Sequence, residues 1–300
     1  MFTTYNVKNN KMRSVQQIVS AKRVNMGGIL LDQPLPYGEI QQIDPFLLVH
    51  HWDDKIEAGQ NQKDLGVGPH PHRGFAPVTL LFKGGVHHQD SRGNNSKVSA
   101  GGVQWMHSGM GIVHSERPLK EIAENGGDFE LIQFWVNTPA QFKMEEPFYT
   151  PLQQNEIPVI ISTDGLVKQN IIAGKLHDKE SKIKTYTKML ILTLEIEKAG
   201  EVEIPVPSSF NMFIYQLDGK LLINNTKETK AKDLSWFKND GDSIIIKGIE
   251  KTRAILLAGE PVNEAVSSYG PFVMNTHTEI LEAMRDYEMG EMGVLIEKFD

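Results

Sequence analysis

TLLFKGGVHHQD, residues 79–90, decides how this chain reads. An apolar run ends on two glycines and a second run begins, the outline of a strand, a tight turn and another strand. FIYQLDGKLLIN, residues 213–224, has the same outline. Setting Gly85 on Gly219 gives an offset of 134. Two longer stretches then follow in step, SAGGVQWMHSGMGIVHS (99–115) and KNDGDSIIIKGIEKTRAILLAG (238–259), where Gly102 on Gly241 gives 139. Two copies of one β-domain produce such an echo. Between them, PFYTPLQQNEIPVI (147–160) carries three prolines and reads as a linker. The expected division is therefore 1–150 and 151–300.

Other stretches agree. PVTLLFKGG, FELIQFWVN, KMLILTLEIE and RAILLAG are short, rich in Val, Ile, Leu, Phe and Trp, and punctuated by turn residues. Turn signals about every ten residues predict an all-β sandwich or barrel. The chain end differs. Thr276 and Glu279 have capping-box spacing, Ile280, Met284 and Tyr287 fall on one helical face, and Gly290 supplies a stop. One terminal helix is expected, packed on the second β-domain.

Composition limits the chemistry. The 300 residues include no cysteine, so disulfides, thiolate metal sites and a cysteine nucleophile are excluded. Any metal must be held by nitrogen and oxygen. The net charge of −7, from 31 basic and 38 acidic side chains without basic runs, argues against direct contact with nucleic acid or an anionic membrane. The opening MFTTYNVKNNKMRSVQQIVSAKR lacks the apolar core of a signal peptide, and no apolar run spans a bilayer. A cytoplasmic protein is expected, with a nuclear location open if the source is eukaryotic. No P-loop, GxSxG or dinucleotide fingerprint occurs.

Eight of the ten histidines lie between positions 50 and 114. His70 and His72 form an HxH pair within GVGPHPHRGF, and His114 and Glu116 an HxE pair within GIVHSERP. On a strand, residues i and i+2 share a face about 6.6 Å apart. Two facing strands can thus present three imidazoles and one carboxylate to one interior, a set suited to a divalent transition metal. Four protein ligands on an ion that prefers six leave positions open for chemistry. Either pair alone is weak evidence. Gly109 and Gly111 suggest a tight approach that lets His114 enter. His87 and His88 are adjacent, so at most one points inward, and His88 is expected at the surface or behind a ligand. His107 is expected buried or near a pocket mouth. His50, His51, Asp53 and Asp54 are read as a solvated turn after the strand PFLLV. His177 and His277 are read as structural.

These residues carry a family likeness. DPFLL (44–48), HPHRGF (70–75), VQWMHSGMGIVHSE (103–116), QFWVN (133–137), EEPFY (145–149), AGEP (258–261) and GPFVMNT (270–276) resemble the pirins, two-domain members of the cupin superfamily. The resemblance runs from about residue 40 to 290. It implies two tandem jelly-roll β-barrels with a C-terminal helix, the N-terminal barrel binding metal and the C-terminal one degenerate. It implies one iron-type ion, Fe(II), on His70, His72, His114 and Glu116. Nitrogen and oxygen ligands equally admit Mn, Co, Ni, Cu or Zn. In the second copy, the counterpart of His114 falls near Arg253 and that of the HxH pair near Pro205 and Pro207, so no ligands survive there. One departure matters: Ala76 stands where pirins usually carry a glutamate, which puts any acid–base or supporting role of that carboxylate in doubt. His50 and His51 depart from a more acidic pattern.

The likeness implies a dioxygenase of the quercetinase type. Its partners would be O2 and a small aromatic substrate such as a flavonol, and Glu116 would double as proton acceptor. The alternative it implies is a non-enzymatic, iron-responsive regulator that binds a protein partner such as a transcription regulator.

Overall fold

The computed structural model describes residues 11–299. The opening ten residues, part of the stretch read as lacking a leader, lie outside the described residues. No helix among the described residues is long and apolar enough to cross a membrane.

The first strand among the described residues is β1 (Val15–Ser20). There follow β2 (Lys22–Met26), β3 (Ile29–Leu35), β4 (Phe46–Ile56), β5 (Val67–His72), β6 (Phe75–Lys83), β7 (Gly85–Asp90), β8 (Asn95–Ser99), β9 (Val103–His107), β10 (Ile112–Pro118), the short helix α1 (Lys120–Asn125), β11 (Gly127–Asn137) and β12 (Phe148–Leu152). The second half holds β13 (Val159–Ile161), β14 (Val167–Ala173), a small hairpin of β15 (Lys175–Leu176) and β16 (Lys179–Glu180), and β17 (Met189–Ile196). It continues through β18 (Glu201–Pro205), β19 (Asn211–Gln216), β20 (Lys220–Ile223), β21 (Lys227–Lys230), β22 (Asp233–Phe237), β23 (Ser243–Gly248) and β24 (Thr252–Gly259). It ends with β25 (Ser267–Tyr269), β26 (Phe272–Met274) and α2 (His277–Glu288).

Each half packs a seven-stranded sheet on a four-stranded one. The orders are β12-β9-β6-β11-β4-β3-β2 over β5-β10-β7-β8, and β1-β22-β19-β24-β17-β14-β13 over β18-β23-β20-β21. All these pairings are antiparallel, and strand for strand the halves match. The turn between β6 and β7 and the turn between β19 and β20 are equivalent, but the glycine that matches Gly219 (φ +69°) is Gly84 (φ +72°), one residue before the expected Gly85. Gly102 and Gly241 are not: Gly102 leads into β9, whereas Gly241 leads into β23, the counterpart of β10.

The large sheets pack face to face. Val49, Val78, Leu80, Trp105 and Phe134 meet Ile191, Phe213, Tyr215, Ile255 and Leu257 in one apolar layer. Phe46 and Phe213 cross it edge to face at 5.5 Å. This explains why β6 is buried from Phe75 through Leu81, both faces included. One face lies against the other barrel and the other lines its own.

The barrel interiors differ. The second is filled by Leu190, Leu192, Ile204, Ile214, Ile223 and Ile244, among others. The first holds a smaller apolar cluster around Ile56, Leu81, Val86, Val98 and Phe129, and leaves room beside it.

The chain ends cross over. β1 pairs with β22 and completes the second barrel's sheet. Just before it, the buried Arg13 donates to the carbonyls of Phe210 at 2.7 Å and Gly241 at 3.2 Å. The stretch 147–160 is more than a linker, since it supplies β12 to the first barrel and begins β13. The terminal helix has its expected capping box between Thr276 and Glu279. It packs on the first barrel, not the second: Ile280, Ala283 and Met292 meet Val113 of β10. Its buried stripe is Ile280, Ala283 and Asp286, while Tyr287 is largely exposed. Local periodicity defines a helix and its apolar side but not the distant surface that receives it.

A buried ion pair secures that docking. Arg73, from HPHRGF, donates to Asp286 at 2.8 Å and to the Met110 carbonyl at 2.6 Å. Gly74 has φ +86°, and any side chain there would strike the Val273 carbonyl, so only glycine lets the tail lie this close. Asp286→Asn keeps an acceptor but removes the charge, and should cost about 1–2 kcal/mol. Limited proteolysis should then release the terminal helix sooner, while far-ultraviolet dichroism of the barrels stays unchanged.

Candidate metal centre

β5 and β10 pair so that His70 lies opposite His114, with His72 two residues on along the same face. Ring centroids are 4.7 Å apart for His70–His72, 4.3 Å for His70–His114 and 5.0 Å for His72–His114. One ligand nitrogen of each lies within 4.8 Å of the others. The backbone fixes which nitrogen is free. His70 Nδ1–H donates to the Gly68 carbonyl at 2.8 Å and His72 Nδ1–H to the Pro271 carbonyl at 3.4 Å. Each Nε2 is left as the bare nitrogen. The buried Nε2 atoms of His72 and His114 meet no hydrogen-bond partner. Burial, then the neighbouring imidazoles, push His72 and His114 well below the usual histidine range, and burial lowers His70 as well. All three are neutral near pH 7, the form that binds a cation. This donor set fits a divalent transition metal.

Glu116 lines the same cavity but stands apart from the three imidazoles. Its Oε1 accepts from Thr79 at 2.9 Å and from the Gln104 amide, and its Oε2 accepts from Gln133 at 2.7 Å. Gln104 is oriented in turn by the Tyr149 hydroxyl, which donates to its Oε1 at 3.1 Å. Sequence reading missed Thr79, Gln104, Gln133 and Tyr149. The available signal was one polar residue inside an apolar strand, as in VQWM and LIQFWV.

The cavity holds about 250 Å3 and is lined mainly from β3, β4, β5 and β11. Leu31, Leu48, Trp52, Phe129, Leu131 and Trp135 make its walls apolar. His50 is a polar exception, its Nε2 2.9 Å from Gln33 Oε1 and its ring pushed down to about 4 by burial. Ala76 does not face this space. It sits in the layer between the barrels, because strand alternation turns Phe75 toward His72 and Ala76 away. A carboxylate at that position would not reach the cavity interior, which answers the doubt raised by its absence.

The remaining histidines sort by strand face. His88 points inward and is buried, 3.4 Å from His114 Nδ1 to Nδ1. His87 is buried on the opposite side, 2.6 Å from Asn95 Oδ1. His107 is buried where the barrels meet, against Phe148 and Tyr186. HHWDDK is not a solvated turn. β4 runs on to Ile56, so His50 faces the cavity and His51 the second barrel. There His51, Asp53 and Glu130 form a second close group. Both carboxylates are already taken, since Glu130 accepts from Arg253 at 2.8 and 3.0 Å, Lys83 at 3.0 Å and His51 at 3.3 Å, and Asp53 accepts from Lys83 at 3.1 Å. This is an ionic latch rather than a place for a cation.

Among the described residues the second barrel has no such centre. Register gives the counterparts: Ile204 pairs with Ile244 as His70 does with His114, and Ile246 with Ile223 as Glu116 does with His88. Val206 lies two residues beyond Ile204, as His72 does beyond His70. All five positions are buried aliphatics. The counterpart of His114 is therefore Ile244, not a residue near Arg253. The HxH counterparts do fall beside Pro205 and Pro207.

Two family models match the chain, Pirin over residues 28–136 and the Pirin C-terminal cupin domain over 191–293. A pirin-like protein of Solanum lycopersicum is 34% identical over 95% of this chain and 94% of its own length. Human pirin is 35% identical over 85% of both chains. A solved quercetin 2,3-dioxygenase of Acinetobacter baumannii superposes with a TM-score of 0.90 at 31% identity, covering 95% of this chain and all of its own.

Proposed function

This chain belongs to the pirin family, and from that premise we propose that it is a metal-dependent dioxygenase of the quercetinase type, opening the ring of a flavonol such as quercetin with O2. The observation that carries the reading is the convergence of three neutral, Nδ1-anchored imidazoles on an apolar cavity of about 250 Å3. The 31%-identical quercetin 2,3-dioxygenase supports it. His70, His72 and His114 would hold the ion through Nε2, and Glu116, held across the same cavity by Thr79, Gln104 and Gln133, would become the carboxylate ligand by turning from one of these donors. Fe(II) is the proposed ion, although the donor set also accepts Mn, Co, Ni, Cu or Zn. When bound, it supplies Lewis-acid and template chemistry.

The protein's own residues do the rest. Trp52, Phe129, Leu131 and Trp135 offer flat apolar surface to a fused aromatic ring and keep bulk water from it. Gln104, Gln133 and Thr79 hold Glu116 at the cavity wall, where it accepts the proton of the flavonol's enol hydroxyl. Ring opening takes up both atoms of O2 and releases carbon monoxide.

The test is direct. Protein loaded anaerobically with each of Fe(II), Mn(II), Co(II), Ni(II) and Cu(II) is mixed with quercetin and air. Loss of the flavonol absorbance band, with carbon monoxide released in step, is expected for at least one metal. No turnover from any sample shown to hold its metal would overturn the proposal.

A further inference from the structure

His114 differs from the other two imidazoles in how its Nδ1 is held. His70 and His72 each donate to a backbone carbonyl, which fixes their proton without ambiguity. His114 Nδ1 instead faces another imidazole nitrogen, His88 Nδ1, at 3.4 Å. Two imidazoles in contact leave the proton's place open, so the group behind His88 must decide it. That group is Asp90, whose Oδ2 lies 2.9 Å from His88 Nε2. Its other partners are all obligate donors. Oδ1 accepts from the backbone N–H groups of Arg92 at 2.9 Å and Asn94 at 3.0 Å, and Oδ2 from Asn94 Nδ2 at 2.7 Å.

We propose that Asp90 and His88 are positioning residues that set the proton of His114 on Nδ1 and so turn its bare Nε2 toward His70 and His72. The order runs one way. Asp90 accepts, so His88 carries its proton on Nε2. Its Nδ1 is then bare and accepts, so His114 carries its proton on Nδ1. A reversed order would put a hydrogen on His114 Nε2, where a cation has to bind. The His88 ring is held in plane by Tyr149, which stacks on it at 3.9 Å and 5°. Tyr149 also orients Gln104, and Gln104 donates to Glu116. One stacked pair, a buried His88 and a half-buried Tyr149, thus supports both the imidazole and the carboxylate. Asp90, His88 and His114 are all buried, so no bulk water competes for these protons.

The inference rests on reading His114 as a ligand, and two measurements keep the two apart. The first is the histidine 15N–1H correlation spectrum of the metal-free protein, which reports each ring's tautomer. His114 is expected with its proton on Nδ1 and His88 on Nε2. The second is Co(II) affinity, measured by competition with a chromophoric chelator. Asp90→Asn keeps an oxygen for the Arg92 and Asn94 backbone but presents an amide donor to His88, which reverses the order. Both rings should exchange tautomers, and Co(II) should bind about 10–100-fold more weakly. His88→Gln retains an acceptor toward His114 and a donor toward Asp90 and should keep most of the affinity, whereas His88→Leu should not. A purely structural role would shift the melting temperature without moving the tautomers. Wild-type His114 protonated on Nε2, or Asp90→Asn binding Co(II) as tightly as wild type, would overturn the inference. Failure of the wild type itself to bind Co(II) would instead remove the ligand reading, and the tautomer spectrum would still decide the proton order.

Discussion

His72→Val should yield a folded protein that has lost its metal and become more stable without it. The second barrel supplies the reasoning, because at the equivalent position it carries Val206, buried among aliphatic neighbours. His72 is 3% exposed, and its Nε2 meets no hydrogen-bond partner. Such a buried polar atom costs about 1–3 kcal/mol in the metal-free state. Valine removes that cost. Against it stand the long hydrogen bond to the Pro271 carbonyl at 3.4 Å and the packing on Phe75 and Trp135, whose rings lie 5.0 and 5.6 Å away. The net expectation is a metal-free protein stabilised by about 1 kcal/mol. Metal binding moves the other way. Shared among the four proposed ligands, a site worth about 10–16 kcal/mol would give each about 3–4 kcal/mol, or two to three powers of ten in affinity. Metal analysis after dialysis should find the wild type loaded and the variant empty. Urea midpoints of the metal-free proteins should rank the variant above the wild type. Equal metal content in both would remove His72 from the site.

The site was legible in the sequence where one strand places residues two apart, and illegible where the partner lay on another strand. HxH and HxE are local spacings, so strand alternation alone turned His70 with His72, and His114 with Glu116, toward one interior. The donors that hold Glu116 come from β6, β9 and β11, and only the sheet order brings Thr79, Gln104 and Gln133 to one carboxylate. The same limit explains the misreading of HHWDDK. Two histidines and two aspartates look like solvated turn, yet the strand continues because each face has its own destination, a cavity for His50 and a latch for His51. The internal repeat was visible from the Gly85 and Gly219 turns. Its second anchor slipped by one strand because hairpin lengths differ between the copies, and that slip carried the counterpart of His114 onto Arg253. The helix α2 was readable from its cap and apolar stripe, but not its docking surface, which depends on Arg73 some 200 residues earlier and on a close approach at Gly74.

Glu130→Gln should loosen the two barrels from one another. Glu130 is 1% exposed in its side chain and belongs to the first barrel, while Arg253, its bidentate partner, belongs to the second. His51 extends the latch. Its Nδ1 lies 3.0 Å from Lys232 Nζ and 3.0 Å from the Tyr215 hydroxyl, both on the second barrel, so Nδ1 accepts and Nε2–H donates to Glu130. Removing the Glu130 charge leaves Arg253 and Lys83 facing a neutral amide, with Asp218 and Asp53 as their remaining carboxylates. Breaking a buried pair from one side costs about 3–5 kcal/mol. Arg253 keeps Asp218 at 2.7 Å and is partly exposed, which places the expectation near the lower end, about 3 kcal/mol. The acid response should change with it. Burial alone would raise the Glu130 pKa, but the hydrogen bonds from His51, Arg253 and Lys83 overcome it and hold the carboxyl far below its ordinary 4.5. A depressed folded pKa gives stability that is fully present above 4.5 and lost as pH falls below it. His51, pushed down mainly by burial, adds a loss that begins as pH falls below its ordinary 6.5. Urea midpoints measured at pH 7, 5 and 3 should therefore fall for both proteins, less steeply for Glu130→Gln below about pH 4.5. Identical midpoints at pH 7 and identical slopes in acid would show that the apolar layer between the sheets holds the barrels together without the latch.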